Sequence, residues 1–174
     1  ILINSRPVMS ALSGVYGLEQ IPVNMIERIE VVRGGGSALF GANAVAGTIN
    51  IITKDPISNS FQFNTNLTSM GGKSWEQYMG GNVSLVSEDN TYGIAMYETY
   101  RNRNPYDRDD DGFSEVGKLN SNTFGLRAYY RPTHFNRISL EYHTTNEFRR
   151  GGNKFDKQPH ESDITEQTKH IINS

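Results

Sequence analysis

The chain has 174 residues, a formal net charge of −2 and no cysteine, and this length is enough for one ordinary domain with its own core. The absence of thiols excludes disulfides and thiolate metal sites, and the charge gives no electrostatic reason to expect a nucleic-acid partner. No run approaches the ~18 apolar residues of a membrane-spanning helix, but transmembrane β-strands alternate apolar and polar positions and keep the mean hydropathy low, as it is here at −0.57.

Residues 26–54, with the sequence IERIEVVRGGGSALFGANAVAGTINIITK, form the most informative segment. The apolar alternation at its start predicts a strand. The glycines Gly34–Gly36 allow backbone angles that other residues resist, and Ser37 can cap a short helix over Ala38–Ala42. The β-branched run Thr48–Thr53 then predicts a second strand.

A strand that runs into glycines and then a helix is also the way in which enzymes cradle a nucleotide phosphate. The dinucleotide pattern G-x-G-x-x-G, counted from Gly34, fails at Leu39, and no Gly-Lys-Ser/Thr follows for a phosphate loop. The second strand also comes too soon for a full crossover helix. We therefore do not expect nucleotide binding.

The segment resembles the C-terminal half of the plug domain of TonB-dependent outer-membrane receptors, whose members carry I-E-R-I-E-V-(V/I)-R-G-P-x-S-A-L-(Y/F)-G-x-x-A-(V/I)-x-G-x-I-N-I-I-T-K. The departures are Gly35, where the family usually has proline, and Ala46, where it usually has glycine. The resemblance implies a plug followed by a 22-stranded barrel, and a TonB box before the plug that is not found in this sequence. We assign residues 1–56 to the C-terminal part of the plug and 57–174 to the first five to six barrel strands, a small α+β segment followed by a mainly β antiparallel meander.

After Asp55-Pro56 the sequence changes to alternating segments separated by polar turns, which is typical of an antiparallel meander. In one segment we expect one set of side chains to face lipid and the other to face the lumen. The lipid set is Phe124, Leu126, Ala128 and Tyr130, and the lumen set is Gly125, Arg127, Tyr129 and Arg131. A soluble β-sandwich, whose alternate residues face a core, is the alternative that the strand pattern leaves open.

The predicted connections alternate between short and long, and transmembrane barrels keep their short turns on the periplasmic side. We place the short turns Glu88–Thr91 and Pro132–Asn136 inside, so that Asn102–Asn122 and Arg149–Thr165 become long outer loops, with Gly71–Ser74 as a truncated outer turn. Tyrosines near the predicted strand ends suit an interfacial aromatic belt, although ordinary strand tyrosines explain part of them equally well. They are Tyr92, Tyr97, Tyr100, Tyr106, Tyr129, Tyr130 and Tyr142.

The first long loop contains the one group of residues with coordination chemistry, DRDDDGFSE over residues 107–115. The pattern D-x-D-x-D-G starts a calcium loop, and the candidate metal ligands are Asp107, Asp109, Asp111 and Glu115. The twelfth position is Lys118, whereas an EF-hand needs a bidentate glutamate there, so we do not expect a helix-loop-helix site. The alternative is a solvated, mobile acidic loop without a metal.

Within the family the resemblance extends to the vitamin B12 (cobalamin) receptors, which carry a D-N-D-G-F motif at the corresponding hairpin, where aspartates bind calcium and order the ligand-receiving loops. The matching residues are Asp109, Asp111, Gly112 and Phe113, while Asp107 is an addition. Residues 9–22 also align with those receptors and place Leu12 and Ser13 where the plug apex touches its ligand. The ligand-binding residues that this resemblance implies are Met9, Ser10, Leu12, Ser13, Val15 and Tyr16; a surface loop without ligand contact is the alternative.

We therefore predict ligand-gated, TonB-dependent import of cobalamin or a related corrinoid across the outer membrane of a Gram-negative bacterium, with Ca²⁺ as a structural ion of the outer loop. The expected partners are this small-molecule nutrient, the TonB complex and outer-membrane lipid. The alternatives are a ferric siderophore or haem receptor of the same family, and a non-transporting surface or adhesion protein. No nucleophile and base, or paired carboxylates, stand in a recognisable catalytic frame, so we do not expect an enzyme.

Overall fold

The computed structural model of the protein describes residues 2–7, 21, 23–34, 47–133, 135–155, 157–158, 161 and 165–173. Contacts divide the chain into two compact units, Ile1–Asp55 and Pro56–Ser174. This division falls one residue from the boundary that we predicted between plug and barrel strands, and the identity of each unit stays a prediction. Among the helices of the described residues, none is long and apolar enough to cross a membrane.

The first unit contains a four-stranded sheet in the order β2-β1-β4-β3. Its strands are β1 (Leu2–Ile3), β2 (Arg6–Pro7), β3 (Ile26–Arg33) and β4 (Gly47–Thr53), with a 3-10 helix at Val23–Met25. Strand β1 runs parallel to β4, and the other pairs are antiparallel. Both strands predicted from the signature are therefore confirmed. The helix predicted over Ala38–Ala42 lies outside the described residues.

Polar residues of the signature hold this sheet together from within. The buried Asn50 amide donates to Glu30 at 3.0 Å and accepts from the Ser5 amide at 2.9 Å. Hydrogen bonds from Arg28 and then Asn50 lower the pKa of the Glu30 carboxyl. Gly47 has a φ of +143°, and a Cβ there would lie 2.6 Å from the Val32 carbonyl oxygen, so the β3–β4 pairing requires glycine at this position.

The second unit contains a six-stranded antiparallel meander in which each strand pairs with the next. Its strands are β5 (Ser60–Met70), β6 (Ser74–Val86), β7 (Tyr92–Arg103), β8 (Phe113–Thr133), β9 (Asn136–Asn153) and β10 (Thr165–Asn173). The predicted meander of five to six strands is confirmed. The chain is thus mainly antiparallel β, as its alternating pattern predicted.

The two faces of the meander differ in chemistry. One face, the apolar face, carries side chains that are 44–74% exposed; they include Phe61, Phe63, Leu67, Leu85, Tyr92, Tyr130, Ile138, Leu140 and Tyr142. The opposite face, the polar face, carries buried polar groups such as Thr123, Thr145 and Glu147. The predicted alternation in β8 is confirmed, because Tyr129 is buried on the polar face while Tyr130 is exposed on the apolar face.

The apolar face forms a band that crosses the strands obliquely. Phe61, Val83, Met96, Leu126 and Tyr142 stand in register on five consecutive strands. Phe61 begins the apolar run of β5, whereas Tyr142 ends that of β9, which began four residues earlier. Four residues are about 13 Å along a strand, and four strand spacings are about 19 Å. The strands are therefore tilted by roughly 35° from the perpendicular to the band, within the tilt range of closed barrels.

The connections leave the meander at two ends. One end, the long-loop end, has the β5–β6 connection at residues 71–73, the β7–β8 connection at 104–112 and the described part of the β9–β10 connection at 154–155, 157–158 and 161. The other, the short-turn end, has the β6–β7 turn at residues 87–91 and residue 135 of the β8–β9 turn. The predicted short turns are confirmed, but both long loops were predicted too long, because β7, β8 and β9 continue into them. Residues such as Asn120 and Asn122 are polar yet lie in β8, since strand segments beyond the apolar band do not alternate apolar and polar side chains.

The predicted aromatic belt is wrong for two of its members. Tyr92 and Tyr130 pair in register on the apolar face near the short-turn end and are exposed, which fits an interfacial position. Tyr97 and Tyr129 instead point to the polar face and are buried. The Tyr97 hydroxyl lies 3.0 Å from His143 Nδ1. In a strand, successive residues point to opposite faces. The hydroxyl of a tyrosine can find a hydrogen-bond partner on either face.

Candidate metal loop and polar wall

The acidic loop at the long-loop end is closed at its base by a pair of backbone hydrogen bonds. The Tyr106 amide donates to Val116 at 2.8 Å, and the Val116 amide donates back to Tyr106 at 3.2 Å. Between them the chain turns through left-handed conformations at Asp110, with φ of 62°, and at Gly112, with φ of 91°. Aspartate and glycine adopt this region more readily than bulkier residues do.

The structure brings the four predicted ligands together. One carboxylate oxygen from each of Asp107, Asp109, Asp111 and Glu115 lies within 4.8 Å of the others. Four carboxylates at this spacing repel one another unless a cation or hydrogen bonds compensate them. The cluster offers oxygen ligands only, which suits a hard divalent cation. The identity of such a cation stays a prediction.

Backbone amides of the loop orient three of these carboxylates. Asp107 accepts from the Asp110 amide at 2.7 Å and from the Gly112 amide at 2.8 Å. Asp111 accepts from the Phe113 amide at 2.8 Å. Glu115 accepts from the Arg108 amide at 2.7 Å. Aspartate side chains that bond to amides a few residues onward stabilise tight turns, so the loop's own conformation holds the carboxylates close.

The acidic loop is docked on the β5–β6 turn, which lies more than thirty residues away in the sequence. Lys73 Nζ lies 2.6 Å from Asp110 Oδ2, and this bond raises the pKa of the Lys73 ammonium. The Tyr106 ring covers Gly71, where a Cβ would lie 2.5 Å from the tyrosine hydroxyl. The Asn104 amide donates to the Trp75 carbonyl at 3.0 Å. Sequence reasoning missed these contacts because no local pattern relates residues so far apart.

A bulge in β8 carries Glu115. Ser114 pairs with Gly152, and the next paired residue, Lys118, pairs with Arg150. Three residues of β8, 115–117, therefore face a single residue of β9, Gly151. Bulges of this kind redirect side chains, and here the redirected side chain belongs to the candidate metal cluster.

The polar face near the loop is a wall of ion pairs. Glu76 on β6 accepts from Arg101 at 2.7 Å and from Arg103 at 3.4 Å, both on β7. On β9, Glu147 accepts from Arg149 at 2.5 Å, and the Glu147 side chain is 3% exposed. A buried carboxylate needs such partners to remain charged. All three arginines lie on the polar face.

Arg150 differs from these residues because it serves the following loop. Its guanidinium donates to the carbonyl oxygens of Lys154 and Lys157, both at 2.9 Å.

The predicted ligand-binding residues of the first unit lie outside the described residues. They are Met9, Ser10, Leu12, Ser13, Val15 and Tyr16.

Comparison with known proteins gives two kinds of match. Residues 1–48 match the family model of the TonB-dependent receptor plug domain. The chain is 33% identical over 119 residues, 65% of its length, to the vitamin B12 transporter BtuB of Photobacterium profundum. It is 46% identical over 52 residues, 30% of its length, to the vitamin B12 transporter BtuB of Vibrio vulnificus. The matched regions cover 19% and 8% of these relatives, so the match spans at most about a fifth of their length.

Proposed function

Since the chain belongs to the TonB-dependent receptors and resembles their vitamin B12 transporters, we propose that the protein imports cobalamin or a related corrinoid across the outer membrane of a Gram-negative bacterium. The plug segment would occlude the barrel, and the TonB complex would supply the energy through the TonB box. A ligand shifts a plug between states only through its different affinity for those states. The corrinoid must therefore bind one plug conformation better than another.

The exposed apolar band supports a membrane position for the second unit. Side chains such as Phe61 and Leu140 are more than half exposed, which is unfavourable in water for so large a continuous surface. The oblique course of the band, at roughly 35°, agrees with the strand tilt of transmembrane barrels. Exposed tyrosines Tyr92 and Tyr130 at its edge suit the membrane interface. We propose outer-membrane lipid as the partner of this face.

The carboxylate cluster supports a structural Ca²⁺ at the long-loop end, held by Asp107, Asp109, Asp111 and Glu115. Ca²⁺ accepts six to eight oxygen ligands with flexible geometry, whereas Mg²⁺ keeps several waters and uses few carboxylates. Four converging carboxylates therefore favour Ca²⁺. The ion would neutralise the loop and fix it against the β5–β6 turn at the mouth of the lumen.

We further propose that the ligand meets the plug at Met9, Ser10, Leu12, Ser13, Val15 and Tyr16. Support for this set comes from the alignment of residues 9–22 with the cobalamin receptors. A ferric siderophore or haem would meet the same apex if the receptor belonged to another branch of the family. The match to vitamin B12 transporters over 65% of the chain is the observation that carries the choice of corrinoid.

Uptake by the full-length receptor tests this function. The receptor is expressed in a Gram-negative strain that lacks its own vitamin B12 transporter, and accumulation of radiolabelled cyanocobalamin is measured. We expect accumulation in cells with TonB and surface binding alone in cells without it. Uptake of a ferric siderophore or haem without cyanocobalamin would assign the receptor to another branch, and equal results with and without TonB would indicate a non-transporting surface protein.

A further inference from the structure

Arg103 touches both the β8 bulge and the polar wall. Its Nε donates to the Gly117 carbonyl at 3.1 Å, and one terminal nitrogen lies 3.4 Å from Glu76. The Arg103 side chain is 18% exposed. A guanidinium has five N–H donors in a fixed fork, so a single arginine can hold two groups in a defined relation.

The bulge needs such a contact because the neighbouring ladder does not fix it. The β8–β9 pairing stops at Ser114 and resumes at Lys118. The residues between them are tied by the Tyr106–Val116 backbone pair, by the Arg108 amide at the Glu115 side chain, and by Arg103 at the Gly117 carbonyl. Gly117 lies so close to β9 that a Cβ would sit 2.8 Å from the Arg150 carbonyl oxygen, so this close approach requires glycine.

Neutralising Glu76 is not a sufficient reason for Arg103. Glu76 already has Arg101 at 2.7 Å, a shorter contact than the 3.4 Å to Arg103. Arg103 also donates to the bulge carbonyl at 3.1 Å, a shorter contact than its own 3.4 Å to Glu76. The bulge contact therefore gives Arg103 a role beyond pairing with Glu76.

We propose that Arg103 is a positioning residue that holds the β8 bulge so that the Glu115 carboxylate reaches the metal cluster. The same guanidinium links that cluster to the Glu76–Arg101 pair on the polar wall. The part of this inference that concerns metal affinity rests on the proposed calcium site. The part that concerns the bulge holds for the loop without metal.

The test compares Arg103→Gln with Arg101→Gln in the full-length receptor. Arg101 pairs with the same carboxylate but stands opposite Ser121, beyond the bulge, which makes it a matched control. Hydrogen exchange of a peptide covering residues 104–118 is measured without metal, and Ca²⁺ affinity is measured by titration calorimetry. The midpoint of thermal unfolding checks that each variant folds.

For Arg103→Gln we expect about tenfold faster exchange at Val116 and about tenfold weaker Ca²⁺ binding, since a hydrogen bond from a charged donor is lost. Arg101→Gln should leave both within about twofold of the wild type. Arg103→Lys keeps the charge but not the fork, so it should fall between the wild type and Arg103→Gln. If Arg103→Gln fails to fold, Arg103→Lys alone still tests whether the guanidinium positions the bulge.

Three results would overturn the proposal: unchanged exchange in Arg103→Gln, equal effects of Arg101→Gln and Arg103→Gln, or wild-type exchange and affinity in Arg103→Lys. The last would attribute the effect to charge rather than to position. Absence of Ca²⁺ binding in the wild type, combined with faster exchange in Arg103→Gln, would refute the calcium site and support the positioning role.

Discussion

The two ends of the meander are built in different ways. At the short-turn end, the turn over residues 87–91 is self-contained in its side-chain hydrogen bonds: Asp89 accepts from Ser87 at 2.7 Å and from the Thr91 hydroxyl at 2.6 Å. At the long-loop end, the acidic loop depends on residues far away in the sequence, with Lys73 paired to Asp110 across 37 positions. The side chains of the 87–91 turn bond within the turn, whereas the acidic loop is tied to the β5–β6 turn.

This difference indicates where a binding signal can act. A turn whose hydrogen bonds are local can change without effect on its neighbours. A loop that shares contacts with the β5–β6 turn and the polar wall transmits a change in its own order to both of them. Elements that respond to ligands need two arrangements and contacts that report which one is present. Among the described residues, the long-loop end has such contacts.

Removing negative charge from the candidate metal cluster should cause the largest change in Ca²⁺ affinity. Asp109→Asn together with Asp111→Asn keeps side-chain oxygens that can accept from loop amides but removes two of four carboxylates. We expect Ca²⁺ affinity to fall by at least about 100-fold, because ligand charge sets affinity in such sites. Titration calorimetry on the full-length receptor measures it.

Two controls sharpen this experiment. Asp110→Asn lies in the same loop but faces Lys73 rather than the cluster, and Asp89→Asn lies at the other end; each should change affinity by less than about threefold. If Asp110→Asn weakens Ca²⁺ binding as much as the double variant does, general loop charge rather than a defined site is responsible.

Much of the fold followed from alternation alone. From Phe61 to Tyr142 the apolar residues recur at every second position, and because a single-layer sheet exposes one face along every strand, this pattern predicted the meander and its faces. The carboxylate cluster was predictable for a similar reason, since its four members lie within nine residues, 107–115, and the loop alone brings them together.

Contacts between distant residues were not predictable in this way. Lys73 in a Gly-Gly-Lys turn has no local feature that assigns it to Asp110, and Arg103 looks like any arginine near a strand end. The strand limits were also misplaced, because residues 120–123 pair in the sheet but carry polar side chains on both faces. The alternating pattern marks the apolar band, and beyond the band that signal ends while the strands continue.

The β5–β6 turn offers the next test of the contacts at the long-loop end. Gly71→Ala and Gly72→Ala both replace a glycine with positive φ, at +58° and +70°, and each substitution should cost about 1–2 kcal/mol of local backbone strain. Only at Gly71 does the new Cβ meet the Tyr106 ring; at Gly72 there is nothing within 4 Å. We expect Gly71→Ala alone to speed hydrogen exchange in residues 104–112, by about tenfold.

The comparison of Gly71→Ala with Gly72→Ala also shows whether the disturbance reaches the short-turn end. Exchange in residues 87–91 should stay at the wild-type rate in both variants, since that turn is at the opposite end. Equal acceleration of the acidic loop in Gly71→Ala and Gly72→Ala would mean that backbone strain, rather than displacement of Tyr106, disturbs the loop.

The smallest effect that we expect is the acid response of the self-contained turn. Hydrogen bonds from the Thr91 hydroxyl and then Ser87 lower the pKa of the Asp89 carboxyl from 3.8 to about 2. Because the folded-state pKa is the lower one, these bonds stabilise the turn fully above pH 3.8, and their contribution is lost as the pH falls through about 2. Carbon-detected NMR of the Asp89 carboxyl in the full-length receptor should give this pKa, and Asp89→Asn should remove the acid-dependent rise in exchange at Thr91. A titration midpoint near 3.8 would mean that the turn is not held by its own side chains, and the contrast between the two ends would then be lost.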